Sequence, residues 1–216
     1  MRKFPEVDFE EFKVFKKLKT PEKIQDFVDK LKINFEPNGE TDHSPLMVLR
    51  HKEAHCFEGA VLAAAALWHN GERPLLVNLK TTADDYGHVL AIFRRGGRWG
   101  AITKTNHAVL KYRDPVYGSL QELVMSYFNE YFMDNGVKTL RAYSSPFDLT
   151  KYGDDWVTSR KSLSEILDAL MDSPHVKILN KESVRRLRPA APIEIKAGKL
   201  VEWNKNKLKN RQNRIR

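Results

Sequence analysis

Cysteine is nearly missing from this chain: one, Cys56, in 216 residues. A single thiol excludes an internal disulfide framework and any zinc site built from several cysteines. It fits a reducing setting, and a bacterial-type cytoplasm is the expected location. Long apolar runs are missing too. The longest, Ala60–Trp68, falls far short of the roughly 20 residues a bilayer requires, and mean hydropathy is −0.54. The opening MRKFPEVDFEEF lacks the apolar block of a secretory signal, so no membrane partner is expected. Acids are absent from the C-terminal stretch, where Lys205, Lys207, Lys209, Arg211, Arg214 and Arg216 supply most of a net charge of +9. Such a tail can attract nucleic acid. However, no aromatic platform or helix-turn-helix pattern accompanies it, so the tail reads as a solvated, disordered end and nucleic acid is not the expected partner.

What is present is an alternation of helix and strand signals. Phe9, Phe12, Phe15 and Leu18 fall at helical spacing over residues 9–18. Thr20-Pro21 and Ser44-Pro45 are helix starts, a capping hydroxyl followed by a proline suited to the first helical position. The run from Ala60 to Trp68 is apolar on every side, the pattern of a helix surrounded by protein, and Asn70-Gly71 ends it. Strands follow at residues 74–80 and 88–95, then Gly96-Gly97 turns the chain into 98–105 as a hairpin. A further strand is predicted near Val109–Tyr112. Ser119 and Glu122 make a capping box for a helix reaching toward Asn135-Gly136, and residues 138–144 read as another strand. Ser162 and Glu165 make a second box. HVKIL and PIEIKAGKLVEW read as strands, the latter a hairpin around Ala197-Gly198. The order predicts an α+β fold, with a core over 1–150, a helix-and-hairpin extension over 151–204, and the basic tail over 205–216.

Cys56 stands in the first turn of the buried helix, where aligned peptide dipoles favour a thiolate and free N–H groups can meet an oxyanion. His88 starts a strand after a polar loop, a place from which an imidazole can face a helix N-terminus and take the thiol proton. Leu90 and Ile92 share its face, and Trp99 on the partner strand is expected to help exclude water. A third group should orient the imidazole. Asn106, at the end of the hairpin's second strand, is preferred to Asp114, which lies in an Asp-Pro turn context. His51 and His55 flank the cysteine at i, i+4 spacing. The run His-Lys-Glu-Ala-His is not the zinc-protease HExxH, so no metal and no cofactor are expected. Glu58 is read as complementing the helix dipole, and Asp84 and Asp85 as loop acids.

Taken together, Ser44-Pro45-Leu46, Cys56-Phe57-Glu58-Gly59-Ala60, the buried helix ending in Asn70-Gly71, PLLVNL, Gly87-His88-Val89 and Trp99 resemble the transglutaminase-like core of the papain-like cysteine fold, over residues 44–117. The family's Asp-Pro, close behind the strand tryptophan, has its counterpart here only at Asp114-Pro115. The resemblance implies a cysteine-bearing helix packed on a small antiparallel sheet. It also implies a hydrolase or acyltransferase acting on amide or peptide bonds through a thioester, with Cys56, His88 and Asn106 as its site and a peptide or amide substrate. The alternative is a non-catalytic module of the same fold that binds protein or peptide.

Overall fold

The computed structural model describes residues 2–37 and 39–201; the basic tail lies outside the described residues. The molecule is α+β, built on an antiparallel sheet between two helical layers. The strands are β3 (Leu75–Lys80), β4 (His88–Arg95), β5 (Arg98–Ile102), β6 (Arg113–Tyr117), β7 (Ala142–Ser144), β8 (Phe147–Asp148) and β9 (His175–Lys177), in the order β6-β5-β4-β3-β7-β9, with β8 also on β3. A separate parallel pair joins β1 (Lys32–Ile33) to β2 (Glu53–Ala54).

Strand alternation sorts the sheet's two faces. Leu76, Val89, Ala91, Phe93 and Ile102 pack beneath α3 (Cys56–His69), together with α1 (Pro21–Lys30) and α2 (Pro45–His51). Leu75, Val77, Leu79, Leu90, Ile92 and Ala101 form a second core with Leu123, Val124 and Tyr127 of α4 (Leu120–Phe128). The central helix is buried at every position from Phe57 to Trp68, as its all-round apolar composition predicts. Trp68 stacks on Trp156 with ring centroids 5.8 Å apart, and its indole N–H donates to the Arg2 carbonyl.

The caps follow the sequence. Thr20 and Ser44 accept from the third residue of α1 and α2, and Ser119 does the same for α4. Asn70 closes α3, with Gly71 at φ +87°. Other expectations need correction. Residues 10–16 form a 3-10 helix, without a capping side chain. The strand predicted at 109–112 lies at 113–117, and α4 ends at Phe128. Ser162 is not the N-cap of α5 (Ser164–Met171); Leu163 is. The hairpin predicted around Ala197-Gly198 is instead helix α7 (Pro192–Gly198), where Pro192 occupies the first turn and Glu194 reaches back to the Ala191 N–H. Alternating Ile193 and Ile195 imitate a strand, but the proline and the acid at the third position are helix-start signals. The segment after Pro146 joins the main sheet through β9 on β7, and α5 puts Ile166 and Leu170 into the core under α3. Between β9 and α7 lies the short α6 (Lys181–Arg185).

Candidate active site

Cys56 is the first residue of α3, and His88 is the first residue of β4. Two close approaches bring the parts together. A side chain at Gly87 would lie 2.8 Å from the Leu79 carbonyl, so glycine lets the chain enter β4 tight against β3 just before His88. A Cβ at Gly59 would lie 2.4 Å from Cβ of Lys104, so its absence lets the stem of Lys104, which follows β5, lie across the first turns of α3. Lys104 is buried, and its ammonium donates to the Leu31 carbonyl at 2.5 Å.

Cys56 shares one cavity with two imidazoles, those of His55 and His88. Burial pushes the thiol up. The hydrogen bonds from the His55 and His88 rings, and the charge on them, outweigh burial and bring Cys56 down to about 5. The sulfur opens onto a cavity of about 360 Å³ lined by His55, His88, Asn106, Tyr131, Phe132 and Ile195, among others. Tyr131 is buried, which holds its phenol well above the ordinary range and hence protonated beside the sulfur.

His88, only 6% exposed, is fixed from behind. Its Nε2 is hydrogen-bonded to Thr103 Oγ1, which leaves the other ring nitrogen for the sulfur. The register explains the contact. Ala91 pairs with Ile102 and Ile92 with Ala101, so Thr103 is a same-face diagonal neighbour of His88 across the two strands. Thr103 is itself clamped by Gln25 of α1, whose Oε1 accepts from the Thr103 N–H at 3.0 Å and whose Nε2 donates to the Thr103 carbonyl at 2.9 Å. Gln25 Nε2 also donates to Asp29.

On the other side of the sulfur, His55 Nε2 faces three carboxylates: Glu36 at 3.5 Å, Glu58 at 3.5 Å and Asp42 at 3.8 Å. Burial works against a charged His55. The hydrogen bond to Cys56, with the charges of Cys56, Glu58 and Glu36, overcomes this and raises it to about 9. Glu58 is fully buried and is the hub of this region. It accepts from the backbone N–H groups of His43 and His55, from the Thr41 hydroxyl and from the Asn34 amide. Burial pushes its carboxyl up, but His55 and these donors hold it below the usual carboxylate range. Asp42, by contrast, is pushed up by burial. Glu36 and Asp42 both adopt left-handed backbone, φ +48° and +42°, a conformation that side-chain-bearing residues take only when surroundings impose it.

Cys56 and His88 line one cavity. Asn106 lines the same cavity, but the ring nitrogen assigned to it is met by Thr103. Asp114 is exposed on β6 and outside the cavity lining. Trp99 pairs with Arg94 near the hairpin turn, at the far end of the strands from His88, and does not cover the thiol. Asp85 lines the cavity and accepts from Thr139, while Asp84 is exposed. His51 ends α2 and stacks on His43, whereas His55 precedes α3, so the two do not share a helix face. Among the described residues no group of three or more His, Cys, Asp or Glu could hold a metal ion. No described helix is long and apolar enough to cross a membrane.

Sequence reasoning missed Thr103, Gln25 and the carboxylates around His55. One signal for the last was available: Glu58, an acid two residues inside an otherwise apolar buried helix, needs donors, and the polar loop 36–43 before α2 is the nearest source. No protein-family model matches the chain, and no curated protein matches it in sequence.

Proposed function

We propose that the protein is a cysteine-dependent hydrolase or acyltransferase of the transglutaminase-like, papain-like kind, acting on an amide or peptide bond through a thioester. The observation that carries this reading is that Cys56, at the start of a buried helix, shares a cavity with a His88 whose ring is fixed by Thr103. In the reaction, the Cys56 thiolate forms a bond to the substrate carbonyl carbon. Its electron pair collapses back and the carbon–nitrogen bond breaks. His88, as imidazolium, passes its proton to the departing nitrogen, leaving an acyl-thioester and a neutral ring. Water or an acceptor amine then attacks the thioester, gives its proton to His88, and frees the thiolate. The first-turn N–H groups of α3 lack intrahelical acceptors and are placed to receive the oxyanion, and the protonated Tyr131 phenol adds a polar edge to the same cavity. Asn106 in the cavity wall is suited to contact substrate, in place of the orienting role.

One feature favours the non-catalytic alternative, a peptide-binding module of the same fold: a neutral threonine stands where an amide or carboxylate would orient the histidine. The two readings separate in one experiment. Purified protein is incubated with a panel of peptides carrying side-chain and backbone amides, with and without an added primary amine, and ammonia or amine release and acyl transfer are followed by mass spectrometry. Turnover by the wild type that vanishes in Cys56→Ser and falls in His88→Ala supports the enzyme. Peptide binding without turnover, unchanged in Cys56→Ser, supports the module.

A further inference from the structure

The sulfur has two imidazole neighbours, and they are built differently. His88 meets a hydroxyl, itself clamped through backbone groups by an amide side chain; no charge touches the far side of its ring. His55 meets three carboxylates at 3.5–3.8 Å, none of them in a hydrogen bond with its buried Nε2. One of the three, Glu58, is wholly buried and carries four donors that fix its position. A buried carboxylate held by donors on one side stabilises a cation on the other. A hydroxyl stabilises either protonation state of a ring without preferring the charged one.

We propose that His55, held by Glu36, Asp42 and Glu58, carries the positive charge that keeps Cys56 as a resting thiolate, and that His88 is thereby left free to move the proton during turnover. This rests on the reading of Cys56 as the nucleophile. His55 is a positioning residue: it acts on the sulfur and on no substrate atom. The arrangement divides between two histidines the two tasks, stabilising the thiolate and moving protons, that one ring would otherwise combine. With His55 as the lasting counter-charge, His88 can give its proton to the departing nitrogen and take one back from water or the acceptor amine without leaving the sulfur short of a cation.

The groups facing His55 are Cys56 and Glu58 on α3, and Glu36 and Asp42 from the loop before α2. Glu40 adds its charge beside Asp42, His43 Nδ1 lies 3.1 Å from Glu58, and His88 and Tyr131 face the sulfur. Among the described residues, His55 both adjoins Cys56 in the chain and faces all three acids.

The test is the pH dependence of Cys56 carbamidomethylation by iodoacetamide, read by intact mass from pH 4 to 9 on the full chain. The wild type should show a midpoint near 5. His55→Gln should raise that midpoint by two units or more, so that labelling at pH 6 falls about tenfold. Glu36→Gln, at a half-exposed position that leaves the buried hub intact, should raise it by a smaller amount. His88→Ala should move it less than His55→Gln does, while removing amide turnover. A His88→Ala shift equal to or larger than that of His55→Gln overturns the assignment and leaves Cys56 as the nucleophile. If His55→Gln does not fold, a Glu36→Gln profile superimposable on the wild type overturns it instead. A wild-type midpoint above 8 defeats the nucleophile reading itself, and the two failures are therefore distinguishable.

Discussion

The two flanks of Cys56 are opposites in construction. The His88 flank belongs to the sheet: a hairpin register places Thr103 beside the ring, and an α1 side chain holds Thr103 through its backbone. The His55 flank belongs to loops: Asn34, Thr41 and His43 donate to a buried acid at the start of α3. The first is uncharged and set by strand geometry. The second is charged, desolvated and set by local backbone twists at Glu36 and Asp42. The difference teaches that two rings lining one cavity can be held by different means, one by an uncharged hydroxyl and one among carboxylates, with the holding groups arriving from unrelated parts of the chain.

The largest effect that would break this comparison is on turnover. His88→Ala should lower amide turnover by roughly 10²–10⁴-fold, the usual worth of a general acid–base group, with folding retained by circular dichroism; a loss under tenfold would put both histidines on equal footing. Next is stability on the charged flank. Glu58→Gln keeps the size of the side chain but leaves His55 without its buried counter-charge, and should cost about 3 kcal/mol, the lower end for breaking a buried pair. That corresponds to a melting point lower by roughly 6–12 °C for a chain of this length. The same acid sets a pH signature. Its folded carboxyl is held below the usual range, so its stabilisation is complete above an ordinary carboxylate titration near 4.3 and drains away as pH falls through the folded value. Melting curves between pH 7 and 3 should therefore converge for wild type and Glu58→Gln at the acid end. On the neutral flank, Gln25→Ala strips the buried Thr103 N–H and carbonyl of partners and should cost about 2 kcal/mol, with no comparable acid convergence. The smallest effect is that of Thr103→Val, which should lower turnover by roughly tenfold while leaving the pH midpoint of Cys56 labelling in place; a shifted midpoint would show that the neutral flank also sets the charge.

Much of the first flank was legible in the sequence. A lone cysteine at the mouth of a largely apolar helix, a histidine opening a strand and a Gly-Gly turn fix α3, β4 and the start of β5 nearly to the residue, because each rests on local signals: caps, breakers and alternation; β5 ends at Ile102, three residues short of the expected 105. The third partner was not legible. Asn106 has the expected chemistry, but choosing between positions 103 and 106 requires the strand register, which a turn signal gives only to within a residue or two. The second flank was hidden for another reason. In the sequence Glu58 reads as a dipole acid and His55 as a neighbour of the cysteine, and only burial turns them, with Glu36 and Asp42, into a single charged unit. The α7 segment failed through period ambiguity: alternating isoleucines outweighed Pro192 and Glu194, although a proline followed by an acid is the stronger start signal.

Gly59 joins the two flanks. Glycine inside a helix costs about 1 kcal/mol relative to alanine, yet here the bare backbone is what admits the Lys104 stem. Lys104 directly follows Thr103, just beyond the end of β5, and Gly59 sits one residue after Glu58. A single methyl at this position would therefore wedge the helix and the hairpin apart, parting the sulfur from one ring while leaving it beside the other. The missing side chain is the hinge pin of the site: the smallest residue in the chain sets the distance over which its chemistry would act.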